Sequence, residues 1–448
     1  MDKEVNPRRE FLKQNSIAGL GILVAGTLGS CAASQGAGSQ KNEKARTKNL
    51  SDLDLEEIRD RYRAQLFNRF IPNMDKYVID HELGGFMCWI NIETGKHDNT
   101  NKRAWFDGRG IWTYSFLYNN FEKNPKYLEI ARKTKDFVLK LLPSDDRFYP
   151  GSYTKQGVPL SSLEGDIYGN LFVAEGLAEY AKATGEKEHF DLAKKIIMKA
   201  VARYDRPDFT YSYRAEEKKP GPRILGHWMI LLSVTTQMLR QHHDPEILAL
   251  ADRCVDAIMN HHLNPKYKLV NEALSHDFKP LSDAIAATVV DIGHGCETLA
   301  FVMNYAVFKK DAKLYNAAKD SFKRHVTVCS DPVYGGNFYI LDNVEKYTWK
   351  SLDKLRWLHE EIHIGSLIML EHTEDPWAIK NFIETDQYIK NNFSHPEHLF
   401  IVDSGNRDMS TYSKLRAENY HHPRHLMVTL LAIDRILNRG RKPSGLVG

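Results

Sequence analysis

Residues 107–142 read DGRGIWTYSFLYNNFEKNPKYLEIARKTKDFVLKLL, and two different kinds of helix lie in that stretch. The first, running to about Phe121, is apolar on nearly every side. The second opens at Asn124-Pro125, a capping residue followed by one whose fixed φ suits a first helical turn. It then mixes Lys and Glu with apolar residues three and four apart, as in Tyr127-Leu128-Glu129-Ile130-Ala131, the pattern of a helix with one wet face. An apolar helix needs neighbours all round, whereas a one-faced helix needs only one. The pair therefore reads as a hairpin with its first member inside and its second outside.

The alternation continues in both directions. Helical segments are expected near 54–79, 107–121, 124–142, 165–183, 186–204, 223–240, 244–262, 291–307, 311–328, 352–372, 375–392 and 422–438. Gly185-Glu186, Asp244-Pro245 and Asp375-Pro376 open mixed helices, while Trp228-Met229-Ile230-Leu231-Leu232 belongs to an apolar one. Ala131, Ala193, Ala251 and Ala318 recur at similar places in successive outer segments, roughly sixty residues apart, as in a repeated hairpin. Six hairpins close into a double ring. The fold class is all-α, with short β-hairpins in the long loops at one end, where Gly84-Gly85-Phe86 and Gly335-Gly336-Asn337-Phe338 fall. One domain over residues 51–440 is expected.

Ahead of it, Arg8-Arg9-Glu10-Phe11-Leu12-Lys13 carries the twin arginines of an export signal. A short apolar stretch follows and ends in Leu28-Gly29-Ser30-Cys31, which resembles a lipobox. Residues 1–31 thus read as a signal peptide with Cys31 as lipidation site, and 32–50 as a flexible tether. The expected location is periplasmic, with membrane contact only through the lipid at Cys31. That leaves Cys88, Cys254, Cys296 and Cys329, in no CxxC pair, as free thiols. Hydrophobic residues make up 42% of the chain, enough for one large core, and 61 basic against 58 acidic residues form no basic run, which sets nucleic acid aside.

The polar residues least at home in a core gather where the apolar helices begin. Asp107-Gly108-Arg109-Gly110-Ile111-Trp112 opens one, and Asp166-Ile167-Tyr168-Gly169-Asn170 the next. Arg223 and His227 open a third, and Asp291-Ile292-Gly293-His294-Gly295-Cys296-Glu297 a fourth. Lys354, Trp357, His359 and Glu361 follow in a fifth, and Tyr420-His421-His422-Pro423-Arg424 leads into the last. In a ring of parallel inner helices these starts meet at one end. Asp107, Asp166 and Asp291 also suit plain N-caps.

His294 at one helix start, and His421 just outside another that Pro423 helps to open, face positive dipole ends, which favours neutral rings. A carboxylate such as Glu297 or Glu361 opposes that effect. Two histidines on opposite sides of a sugar suit removal of the C2 proton of the open aldose and its return to the other face, through an enediolate. Arg109 or Arg424 suits the charge on O1. This chemistry calls for no metal and no cofactor.

At these residues the chain resembles the N-acylglucosamine 2-epimerase superfamily, to which cellobiose 2-epimerases and mannose isomerases also belong. The matching segments are Lys102-x-x-Trp105-x-x-Gly108-Arg109-x-x-Trp112, Asp166-x-Tyr168-x-x-x-Phe172, Gly293-His294-x-x-Glu297, Lys354-x-x-Trp357-x-His359-x-Glu361 and Tyr420-His421-x-Pro423-Arg424. The resemblance implies an (α/α)6 barrel, with His294 and His421 as the acid/base pair and Arg109 near the substrate oxygens. Trp112, Tyr168, Asn170, Glu297, Trp357, His359, Glu361 and Arg424 are the further substrate contacts expected. Ile230 stands where the cellobiose branch carries a further His, Asn170 where many members have Glu or Gln, and His398-Leu399-Phe400 lacks the usual Gly pair. The substrate is therefore left as an N-acylglucosamine-like sugar, a hexose or an oligosaccharide end.

Three other readings stay open. His359-Glu360-Glu361-Ile362-His363 matches the H-E-x-x-H helix of zinc peptidases. Asp107, Asp166, Asp291, Glu297 and Glu361 offer carboxylates for a glycoside hydrolase or lyase on the same scaffold. A non-catalytic sugar-binding lipoprotein is the third.

Overall fold

The computed structural model describes residues 49–161, 167–213, 217–281 and 288–447. The twin arginines, Cys31, residues 32–48 of the tether and Asp166 lie outside the described residues. Helix α1 (Leu55–Ala64) passes through a π-helical turn (Gln65–Phe70) into α2 (Ile71–Tyr77). Then come α3 (Ala104–Asn120), α4 (Pro125–Leu139), α5 (Ile167–Thr184), α6 (Lys187–Tyr204), α7 (Leu225–Gln241) and α8 (Pro245–Asp256). The last five are α9 (Ile292–Lys309), α10 (Ala312–Cys329), α11 (Arg356–His372), α12 (Pro376–Asn392) and α13 (His421–Asn438).

Helices α3, α5, α7, α9, α11 and α13 pack side by side in that order, and α13 returns to α3, closing an inner ring. Each is backed by one outer helix, α1 behind α13 and α4, α6, α8, α10 and α12 behind the rest. The (α/α)6 barrel follows from the alternation in the sequence. Helix α11 is buried from Leu358 to Leu367, whereas α4 buries one face through Tyr127, Ile130, Ala131 and Val138. Cutting Leu358 or Ile362 back to Ala would cost about 2–5 kcal/mol, since neither site can collapse freely. Cys88, Cys254, Cys296 and Cys329 are buried free thiols.

Short antiparallel ladders set the helix starts. Strands β1 (Thr210–Tyr213) and β2 (Glu217–Pro220) pair, as do β3 (Arg223–Ile224) with β6 (Ala273–Leu274), and β4 (Leu263–Asn264) with β5 (Leu269–Val270). Strands β7 (Val290–Asp291), β8 (Ile340–Asn343) and β9 (Thr348–Ser351) form one sheet, and β10 (Lys354–Leu355) pairs with β11 (Ser404–Gly405). Because β3, β7 and β10 run straight into α7, α9 and α11, these ladders fix three inner helices at one rim.

Two matching clamps brace that rim. The Lys102 ammonium donates to Asp80 Oδ2 (2.8 Å) and the Gly84 carbonyl (2.6 Å). Lys354 does the same to Asp331 Oδ2 (3.0 Å) and the Gly335 carbonyl (2.9 Å). Both lysines are fully buried, so each pair is held in place by its hydrogen bonds rather than by weak surface attraction. Packing continues past the expected boundary at 440: Arg441 donates to the Leu53 carbonyl (2.6 Å), and Val447 is buried.

Candidate active site

His294 is the third residue of α9, and its backbone N–H donates to the N-cap carboxylate of Asp291 (3.1 Å). Its Nδ1 lies 2.9 Å from Glu272 Oε1, so Nε2 is the nitrogen left to meet a ligand. His421 is the first residue of α13 rather than just outside it, with Tyr420 as N-cap. The His421 N–H donates to Glu418 Oε2 (2.8 Å), and its Nδ1 is 3.3 Å from Glu418 Oε1. The Trp357 ring stands between the two imidazoles, 5.9 Å from His294 and 5.4 Å from His421, centre to centre. Two residues 127 apart in sequence thus share one rim, counted from their numbers.

Bare backbone makes this possible. A Cβ on Gly293 would fall 2.2 Å from Trp357 Cη2, so only glycine lets the indole lie against α9. A Cβ on Gly226 would fall 2.3 Å from Tyr168 Oη and 3.3 Å from His294 Cε1. The tyrosine hydroxyl and the imidazole therefore crowd the same spot on α7.

Below the rim, Arg424 grips Glu361 with both guanidinium ends (2.5 and 3.1 Å) and lies 3.7 Å from Glu297. Burial pushes the Glu361 carboxyl above the usual range; Arg424 opposes this and Glu297 adds to it. Arg109 sits over the rings of Phe172 (4.1 Å) and Tyr420 (4.7 Å), with Nη1 3.4 Å from Glu418. Burial works against charge at Glu418, yet His421, Arg109 and Arg356 hold it well below the ordinary carboxylate range.

The dipole argument expects His294 to be neutral, and here the structure differs. Burial does disfavour the imidazolium, but Glu272, Asp291 and Glu297 outweigh it and push the pKa up to about 10. The resting ring is an acid. Neither Glu272 nor Glu418 stands out in the sequence, because both lie in irregular segments between elements.

Arg109, Tyr168, Glu297, Trp357, Glu361 and Arg424 are brought together with the two histidines. Three expected contacts are not. His359 has Nδ1 2.7 Å from the Leu355 carbonyl, while Nε2 accepts from Asn337 N–H (2.9 Å). The ring stacks on Tyr388 of the outer layer at 4.7 Å. Asn170 spends its carbonyl oxygen on Tyr149 N–H (3.0 Å). Trp112 donates to Gln237 (2.8 Å) a turn deeper and lines a cavity of about 1010 Å³ at the C-terminal ends of the inner helices. Tyr420 and Arg424 also line that cavity, and they stand beside the basin, the group of polar side chains around His294, Trp357 and His421.

The same geometry weighs on the rival readings. With both His359 nitrogens engaged and Glu361 held by Arg424, the H-E-x-x-H residues do not converge on one point. Asp107 accepts from Phe86 N–H (2.8 Å) and the Tyr153 hydroxyl (2.5 Å), which turns it away from the basin. Glu297, Glu361 and His421 offer ligand atoms within 4.8 Å of one another, as do Glu272, Asp291 and His294. Arg424 already balances the first set and the His294 imidazolium the second.

The model of the family described as N-acylglucosamine 2-epimerase (GlcNAc 2-epimerase) matches residues 63–424. The chain belongs to this family. Among relatives, the N-acylglucosamine 2-epimerase of Bos taurus is 26% identical over 378 residues, covering 80% of this chain and 87% of the relative. The solved cellobiose 2-epimerase of Bacillus thermoamylovorans B4167 superposes with a TM-score of 0.71 at 16% identity, over 85% of this chain and 100% of that one. A D-mannose isomerase does so with a TM-score of 0.67 at 16% identity, over 84% and 97%. At such identities the two structures bear on the fold, and the family match carries the class of protein, a carbohydrate epimerase.

Proposed function

We propose that the protein inverts or isomerises a reducing sugar at C2, with His421 and His294 as the acid/base pair. One observation carries this reading: two imidazoles flank a single indole on one rim, each with Nδ1 beside a buried glutamate. The three carboxylates around His294 favour its imidazolium, which suits it to give a proton and assigns the base to His421. His421 Nε2 therefore removes the C2 proton of the ring-opened aldose, and the electron pair moves onto O1 as an enediolate. His294 Nε2 then gives its proton to the opposite face of C2 for epimerisation. If the O2 proton first passes to O1, delivery to C1 instead yields the ketose. Arg109 suits the O1 charge better than Arg424, which Glu361 already occupies; among the described residues its Nε has no hydrogen-bond partner. The Trp357 face offers the sugar ring an apolar platform.

The relatives' names point to an N-acyl amino sugar or the reducing end of a glucoside as substrate. We infer further that the enzyme works outside the cytoplasm on a lipid anchor at Cys31, as the twin arginines and lipobox suggest. Cys31→Ala would then move it from the membrane to the soluble periplasmic fraction.

Incubating N-acetylglucosamine, N-acetylmannosamine, cellobiose and mannose in D2O, and following C2 by NMR, tests the chemistry. Solvent deuterium enters C2 of at least one of them. A folded enzyme that exchanges none of these, or one that keeps exchanging as His421→Ala, overturns the assignment.

A further inference from the structure

The outward faces of α11 and α13 carry a second histidine–carboxylate group, separate from the basin. Glu360, His422 and His425 are fully buried, and their ligand atoms all lie within 4.8 Å of one another. His422 Nδ1 is 2.6 Å from Glu360 Oε1, and His425 Nδ1 is 3.7 Å from the same oxygen. The other oxygen of Glu360 is taken by Arg356, which leaves Oε1 to the two rings. Among the described residues His425 Nδ1 has no hydrogen-bond partner, although its side chain is only 1% exposed. A buried polar nitrogen left unpaired costs stability, so this one calls for an occupant.

The remaining ring nitrogens are held as a ligand set requires. His425 Nε2 lies 2.9 Å from His363 Nδ1, and His422 Nε2 lies 3.3 Å from the side-chain amide nitrogen of Gln65, whose oxygen takes that place when the ring nitrogen carries a proton. Metal-binding histidines have this arrangement, one nitrogen on the ion and the other fixed by a second group. A cavity of about 560 Å³ between α1 and α12, lined by Tyr62, Gln65, Arg69 and Pro396, reaches both rings from outside. The zinc-peptidase motif is thereby split: His359 is engaged elsewhere, Glu361 faces the basin, and only Glu360 and His363 point here.

We propose that Glu360 Oε1, His422 Nδ1 and His425 Nδ1 bind one divalent transition-metal ion, Zn2+ by the chemistry of the donors. Two imidazoles and one carboxylate suit zinc, with water as the fourth ligand usual for three protein donors. On binding, the single proton of the neutral His422 ring moves from Nδ1 to Nε2, and the Gln65 side-chain amide turns so that its oxygen accepts it. The ion would tie α13 to α11 one residue from His421 without entering the basin.

The test uses the tag-free full chain, stripped with chelator and titrated with Zn2+ by calorimetry. One equivalent binds and raises the thermal midpoint. His425→Gln and Glu360→Gln lose that equivalent and the shift. His363→Leu, which removes only the orienting group, weakens Zn2+ about 10–100-fold. His395→Ala, in the separate group His395, Glu397 and His398, changes neither. X-ray absorption of the Zn2+-loaded wild type reports two imidazole nitrogens and a carboxylate oxygen, a result that stands even where a variant fails to fold. No stoichiometric binding by the wild type, binding unchanged in both ligand variants, or a shell lacking two imidazoles overturns the site. None of these readouts depends on sugar turnover, so the proposal can fail while the C2 chemistry holds.

Discussion

The two rings of helices finish their N-termini in opposite ways. In the outer ring Asp54, Asn124, Asp244, Asp311 and Asp375 each accept from amides of their own first turn, and Glu186 ahead of α6 is the exception. In the inner ring Arg103, Ile224, Leu355 and Tyr420 supply no side-chain cap, and among the described residues only Asp291 does. The inner amides turn to other partners instead, two of them in distant segments and one, Glu418, three residues upstream. Leu225 N–H donates to the Glu272 carbonyl (2.8 Å), Arg356 N–H to that of Asp403 (2.9 Å), and His421 N–H to the Glu418 carboxylate. The lesson is that a self-capped helix end contributes stability alone. An end closed from elsewhere leaves its amides beside groups that also set the state of a reactive side chain, as Glu272 and Glu418 do.

The largest break in that comparison should come from the inner rim. His294→Ala and His421→Ala are each expected to lower C2 exchange by about 10²–10⁴-fold, the usual reach of a positioned acid or base. Circular dichroism should remain that of the parent. Exchange within tenfold of wild type in either variant would show that rim to be structural. Next comes Glu361→Ala, which leaves the buried Arg424 facing only Glu297 at 3.7 Å. Removing one partner of a buried pair costs about 3–5 kcal/mol, read from the urea midpoint. A loss below about 1 kcal/mol would mean that water reaches Arg424.

Glu272→Gln sharpens the contrast through pH. His294 sits at about 10, above its ordinary 6.5, so its proton stabilises the folded chain. That stabilisation is complete below 6.5 and is lost as pH rises through about 10. In Glu272→Gln one of the carboxylates holding the proton is gone, the ring titrates lower, and the decline in stability between neutrality and pH 10 flattens. Urea unfolding across that range measures it. An unchanged slope would exclude Glu272 as the group that keeps His294 charged.

How much of this was legible depends on distance along the chain. Asn124-Pro125, Asp244-Pro245 and Asp375-Pro376 could be read because a cap and its helix are neighbours. His294, Glu297, His421 and Arg424 could be read because each stands within a turn or so of a helix start. The side of the helix was harder. Each residue turns about 100°, so positions two apart, such as His359 and Glu361 or Tyr168 and Asn170, point about 200° apart and cannot both face one basin. Trp112, three on from Arg109, keeps the same face but sits nearly a turn deeper. Glu272 belongs to no periodic segment, and Glu418 becomes readable, as a group three before His421, only once the helix is known to begin there.

The smallest effect belongs to the outer ring. Asp244 accepts from the amides of Glu246 (3.0 Å) and Ile247 (3.2 Å), and Lys194 Nζ lies 2.7 Å away. Burial is the largest single influence and opposes charge, yet Lys194 and the two amides together outweigh it and lower the pKa. Its contribution is thus present above the ordinary carboxylate range and lost as pH falls through the lowered value. Asp244→Ala should cost about 1 kcal/mol at neutral pH, and less in acid. C2 exchange should stay at the parent rate, because α8 stands behind α7 and its N-terminus faces away from the basin histidines. A fall in exchange larger than the loss of folded protein would mean that outer caps also position the rim, and the division of labour between the rings would no longer hold.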